Sequence, residues 1–118
     1  MGKKVMICDD DQGILEMLEM MLEDYGYSVL TENNSIQLLN NLRKDKPDLL
    51  LLDIWMPVLS GDLILKQLKC DAELRDIPVI MYSASSEGEQ IAKNSGADAY
   101  IDKPFDLDDL INKIQSFL

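Results

Sequence analysis

The chain has 118 residues, a length that fits one domain with a sheet buried between two layers of helix. Lys and Arg number 11 against 22 Asp and Glu, a net charge of −11, which excludes the basic surface of a nucleic-acid binder and suits cations or basic protein patches. Histidine is absent, and Cys8 and Cys70 show no Cys-x-x-Cys spacing, which excludes the usual zinc sites and every histidine-based triad and leaves two thiols of a reducing compartment.

Lys4 to Cys8 reads as a first strand, running into Asp9-Asp10-Asp11. Gln12 to Tyr25 follows as a helix with Ile14, Leu18, Met21, Leu22 and Tyr25 on one face, stopped by Gly26. Tyr27 to Thr31 is a second strand, and Ser35 is placed to cap a second helix carrying Ile36, Leu39 and Leu42. Pro47-Asp48 opens a third strand, Leu49 to Asp53, whose four consecutive leucines mark burial on both faces. Gly61-Asp62 opens a third helix with Ile64, Leu65 and Leu68 inward. Ile77 to Tyr82 is a fourth strand that tolerates Pro78 near its start. Glu87 to Ser95 is a weakly amphipathic helix ended by Gly96, and Ala99 to Ile101 is the fifth strand. The last helix carries Leu107, Leu110, Ile111, Ile114, Phe117 and Leu118, the cleanest apolar stripe in the chain.

Five strands alternating with five helices predict an α/β fold: a doubly wound parallel sheet of order 2-1-3-4-5, flavodoxin-like, with strands one and three at the switch point. No linker or repeat interrupts the pattern, so one domain is expected over residues 1–118. No apolar run approaches the roughly 20 residues of a membrane helix. The apolar part of Lys3 to Cys8 is too short for a signal peptide, and Met6 breaks the myristoylation pattern. A cytoplasmic protein with no membrane or nucleic-acid partner is expected.

A carboxylate directly after four leucines is costly unless the buried segment reaches water there. Ligands of parallel sheets gather at the carboxyl ends of strands, so Asp53 reads as a functional acid at a strand tip. With strands one and three adjacent, Asp9, Asp10 and Asp53 converge at one rim. Three like charges repel, and a divalent cation relieves that repulsion; a donor set without imidazole or thiolate selects a hard ion, Mg²⁺. The competing role is helix capping, which fits Asp11 and needs only one residue. Ser83 ends strand four and Lys103 follows strand five at the same rim. Taken singly, Ser83 or Ser85 is as readily a helix cap, and Lys103 a surface lysine. Together these are five polar groups from four strands at one sheet edge.

These residues resemble the receiver domain of two-component response regulators. The resemblance rests on Asp9-Asp10 after strand one, Asp53 in Asp-x-x-Met-Pro-x-x-x-Gly through Gly61, Ser83-Ala84 after strand four and Lys103-Pro104-Phe105 after strand five, and it covers essentially the whole chain. It implies that Asp53 is the phosphoacceptor, charged by a histidine kinase or phosphotransfer protein. It implies that Mg²⁺ is held by Asp10, by Asp9 largely through water, by Asp53 and by the backbone carbonyl of Trp55. Lys103 would pair with the phosphoryl oxygens, across a Lys103-Pro104 bond expected to be cis. Ser83 would swing towards the phosphoryl group and Tyr100 would turn inward behind it, changing the surface of helix four, strand five and helix five that a downstream protein reads.

The residue chemistry agrees with such a role: a carboxylate nucleophile forms a mixed anhydride, and positive charge offsets that of the phosphoryl group. Tyr100 could equally be a half-buried strand aromatic. Trp55 could shade the phosphoryl group from water or serve as a docking aromatic. Ser83 stands where the family often has Thr. The acidic Asp106-Leu107-Asp108-Asp109 departs from receivers that dimerise on this face. The expected protein is not an enzyme on free substrates, assisting only its own phosphorylation and dephosphorylation. The alternatives are a receiver-like adaptor that is never phosphorylated and a Mg²⁺-dependent aspartyl-phosphate phosphatase. The adaptor would not need the acids, Ser83 and Lys103. The phosphatase wants an Asp-x-Asp nucleophile and a cap, where Ile54-Trp55 follows Asp53.

Overall fold

The computed structural model describes residues 2–56, 59–84, 86–102 and 106–118. Five strands, β1 (Lys4–Cys8), β2 (Ser28–Glu32), β3 (Leu49–Asp53), β4 (Val79–Ser83) and β5 (Ala99–Asp102), alternate with five helices, α1 (Gln12–Asp24), α2 (Leu38–Asp45), α3 (Gly61–Lys69), α4 (Gly88–Ser95) and α5 (Leu107–Phe117). All strand pairs are parallel and the order is β2-β1-β3-β4-β5, as the alternation predicts.

Strand side chains alternate between two apolar layers. Met6, Cys8, Leu50, Leu52, Val79 and Met81 face Leu38 and Leu42 of α2, Ile64, Leu65 and Leu68 of α3, and Ala92 of α4. Val5, Ile7, Leu49, Leu51, Ile80 and Tyr82 face Leu15, Leu18 and Leu22 of α1 and Leu110, Ile111 and Ile114 of α5. Every residue of β3 is buried, which accounts for its run of leucines.

Local chemistry moves several expected boundaries. The inward face of α1 keeps Leu18 and Leu22 of the predicted stripe, with Ile14 and Met21 packed at its edge, and adds Leu15; Tyr25 is its C-cap and is exposed. Gly26, at φ 93°, closes that helix, with Gly26 N–H bonded to Glu23 O and Tyr27 N–H to Leu22 O. Tyr27 is thereby consumed in the cap, and β2 starts at Ser28. Ser35 does not cap α2. Asn34 Oδ1 accepts the Ile36 N–H at 3.0 Å and starts a turn, so the helix begins at Leu38, Leu38 takes the core position and Ile36 is exposed. Ile77 lies in the turn before β4, its N–H on Leu74 O, while the Pro78 carbonyl accepts from Leu50 N at 2.9 Å. Leu107, in the first turn of α5, is exposed. Among the described residues no helix is long and apolar enough to cross a membrane.

Candidate functional site

The site lies where β1 and β3 end. Cys8 pairs with Leu52, so the residues that follow, Asp9 just past β1 and Asp53 at the end of β3, stand side by side. Both are buried, and Asp10, in the turn after β1, is exposed. One carboxylate oxygen from each of Asp9, Asp10 and Asp53 lies within 4.8 Å of the others, a spacing one hard cation could span.

Their surroundings differ in kind. Asp9 accepts the Asp11 N–H on Oδ1 at 2.9 Å and the Tyr82 hydroxyl on Oδ2 at 2.8 Å. Asp11 is turned away to cap α1, accepting from Gly13 N at 2.9 Å and Ile14 N at 3.3 Å, as the sequence suggests. Asp53 accepts the Trp55 N–H at 3.4 Å, and the Trp55 side chain is 49% exposed beside it. Gly61 explains its place in the motif. Its N–H bonds Ile54 O at 2.8 Å, and a methyl group there would overlap the Asp53 carbonyl and stand 3.0 Å from Ile54 Cα. The loop after β3 therefore closes against the backbone of Asp53 only because residue 61 has no side chain.

On the other face of β4, Ser83 is fully buried and pairs with Asp102 of β5. The Tyr100 hydroxyl donates to Ser83 O at 3.1 Å, so the ring is turned inward and packs on the α2–α3–α4 layer. Burial, helped by the Asp102 carboxylate, pushes the Tyr100 phenol up to about 12. Two shallow cavities, of about 310 and 250 Å³, flank Tyr100 along α4, β5 and α5, lined among others by Glu89, Lys93, Asp102 and Lys113.

The structure thus brings together Asp9, Asp10 and Asp53, sets Trp55 beside them and joins Ser83 to Tyr100. Lys103, Pro104 and Phe105, with the expected cis bond, lie outside the described residues, as do Ser85 and Pro57. The two thiols are free: Cys70 is exposed at the end of α3, and burial, then the nearby carboxylates of Glu32 and the acid cluster, push the Cys8 thiol far up, leaving it inert. The sequence reading missed two participants, Tyr82 and Gly88. Tyr82 pairs in register with Asp53 and so shares its face, a placement the folded sheet shows and the sequence pattern does not. Gly88 carries no sequence signal; its importance arises from the approach of Tyr100.

Comparison with known proteins gives a consistent result. The family model for the response regulator receiver domain matches residues 5–115. The polar-differentiation response regulator DivK of Brucella anthropi is 38% identical over 120 residues, covering 100% of this chain and 98% of that protein. Response regulator MprA of Mycobacterium leprae is 35% identical over 117 residues, covering 98% of this chain but only 50% of that longer protein. Among solved structures, Vibrio cholerae chemotaxis protein CheY4 superimposes with a TM-score of 0.89 at 29% identity over 100% of both chains. The receiver domain of the Francisella response regulator 1452 gives a TM-score of 0.89 at 30% identity, covering 98% of this chain and 96% of that one. With the family match running through nearly every element from β1 to α5, the chain belongs to the response-regulator receiver domain family.

Proposed function

We propose that Asp53 accepts a phosphoryl group from the phosphohistidine of a histidine kinase or phosphotransfer protein in a Mg²⁺-dependent reaction. The phosphorylated chain then presents a changed α4–β5–α5 surface to a downstream protein. The observation that carries this reading is the meeting of Asp9, Asp10 and Asp53 within 4.8 Å at the carboxyl end of the sheet. Three carboxylates so placed destabilise the fold on their own, and their all-oxygen donor set fits a hard divalent cation. When bound, Mg²⁺ supplies positive charge that offsets the approach of an anionic donor.

The chain's own residues do the rest. An Asp53 carboxylate oxygen bonds to phosphorus as the bond from phosphorus to the donor nitrogen breaks, leaving an acyl phosphate on the protein and a free imidazole on the donor. Asp10, Asp53 and, largely through water, Asp9 would hold the cation, with the Trp55 carbonyl as a further ligand by family analogy. Lys103, by the same analogy, pairs with phosphoryl oxygens. Ser83, adjacent in sequence to Tyr82 and bonded through its carbonyl to Tyr100, is the route to the far face. Phosphorylation adds charge and acceptor oxygens, and a Ser83 hydroxyl that donates to them draws on the loop before α4. The protein acts on its own Asp53 and not on free substrates.

The test is intact mass after incubation with a small acyl phosphate, with and without Mg²⁺. The parent should gain one phosphoryl group only with Mg²⁺, and Asp53→Asn none. A parent that stays unmodified under both conditions refutes the reading and leaves an adaptor; modification of the Asn variant refutes the assignment to Asp53.

A further inference from the structure

We infer that Tyr82 is a positioning residue for the divalent cation, acting through Asp9 and setting the site's preference for Mg²⁺ over larger ions. The inference rests on the metal role of the acid cluster proposed above. Tyr82 is a fully buried aromatic on β4, yet its hydroxyl reaches Asp9, which follows β1. The intervening strand is β3, and the residue paired with Tyr82 there is Asp53. Asp9, Asp53 and Tyr82 therefore form one row across three strands, on the face that packs against α1 and α5. The phenol, its hydrogen bond and the Asp9 side chain together bridge two strand spacings, roughly 9–10 Å between backbones, and put a donor on Oδ2 of a carboxylate with no exposed surface.

Two hydrogen bonds from opposite sides hold the plane of Asp9. Asp11 N–H holds Oδ1 and Tyr82 O–H holds Oδ2, at 2.9 and 2.8 Å. With both oxygens engaged, only their remaining lone pairs can point at an ion or at its water, and their direction is set before the ion arrives. A small cation that demands near-ideal octahedral geometry gains from that fixity, whereas Ca²⁺ takes more ligands in looser geometry. Groups that orient a ligand without touching the metal commonly change affinity by about 10- to 100-fold when removed. A phenylalanine would fill the same apolar space and lack only the donor.

The experiment titrates Mg²⁺ and Ca²⁺ into parent and Tyr82→Phe proteins, following the fluorescence of Trp55, the only tryptophan, with melting curves in chelator as a check of folding. The Phe variant should need about tenfold more Mg²⁺ at its midpoint, with a smaller shift for Ca²⁺. A second pair guards against a general loss of stability: in an Asp9→Ala background, adding Tyr82→Phe should leave the Mg²⁺ midpoint where it was. Equal Mg²⁺ midpoints for parent and Tyr82→Phe, equal shifts for the two ions, or a further loss in the Asp9→Ala background would overturn the inference. A parent that binds no Mg²⁺ would overturn the metal reading itself, and it is visible in the parent alone.

Discussion

Removing the charge of Asp10 should stabilise the metal-free protein. Asp10 is the exposed member of the cluster and its carboxylate faces two buried ones, Asp9 and Asp53, all within 4.8 Å. At that separation two unit charges repel by roughly 3.5 kcal/mol at an effective dielectric of about 20 and by about 0.9 kcal/mol in bulk water. Solvent reaches Asp10, so the lower figure governs, and two such pairs give about 2 kcal/mol. In a domain of this size each kcal/mol moves the melting midpoint by roughly 3–6 °C. Asp10→Asn should therefore melt several degrees above the parent in chelator, and the gap should shrink in about 1 M salt, where the screening length falls to about 3 Å. Mg²⁺ at tenfold its dissociation constant should return about 1.4 kcal/mol to the parent and far less to the variant, so the order of stabilities converges or reverses. The assay is thermal denaturation under these three conditions. A variant no more stable than the parent in chelator would show that the carboxylates are not crowded, and the physical case for a cation would fall.

Three further outcomes follow, two from the Ser83–Tyr100 half of the site and one from Trp55 beside the acids. Gly88→Ala should destabilise by about 1–3 kcal/mol in urea, as overpacking does, because the added methyl would stand 2.8 Å from Ser83 Cβ and 2.9 Å from the Tyr100 ring; combining it with Tyr100→Ala should cost less than the sum of the two, and strict additivity would mean the ring is not inward. The Tyr100 phenol, held up to about 12 against an ordinary value of 10, keeps its proton when folded and loses it when unfolded, so stability should fall as pH rises from 10 towards 12. Tyr100→Phe should lose less over that window in urea midpoints, and an unchanged slope would refute the assignment. Trp55→Ala should shorten the lifetime of the phosphorylated protein, followed by intact mass, if the indole shades Asp53 from water; an unchanged lifetime would assign Trp55 to docking instead.

Most of the fold was legible because its signals are local and redundant. The run Leu49 to Leu52 can be satisfied only by a strand covered on both sides, and Asp53 at its end marks which way the strand points. The acids were legible as a set because adjacent strands in register carry them to one edge. The errors came from residues whose local hydrogen bonding outranked their pattern. Ser35 has the right chemistry for a cap, but Asn34 one residue earlier starts the turn. Tyr25 fits the helical stripe in spacing but sits where the chain leaves the helix. Tyr82 was hidden for a different reason. An aromatic on a central strand reads as core, and its volume is indeed core; only the register reveals that its hydroxyl ends on Asp9.

That hydroxyl also places two jobs on neighbouring residues of a single strand. Successive residues of β4 point to opposite faces, so Tyr82 serves the side of α1 and α5, where Asp9 and Asp53 lie, while Ser83 serves the side of α4, where Gly88 and Tyr100 lie. A change in charge at Asp53 is felt by Tyr82 as its cross-strand neighbour and by Ser83 as the next residue along. Ser83 is tied through its carbonyl to Tyr100, and Tyr100 is packed against a glycine that permits no bulk. If Asp53 is phosphorylated as proposed, coupling between the acid rim and the α4–β5 surface would need no long path. It would require only that the tip of β4 shift slightly: Ser83 Cβ and the Tyr100 ring leave no room for a methyl group at Gly88, and close-packed contacts of this kind change by jumps between arrangements.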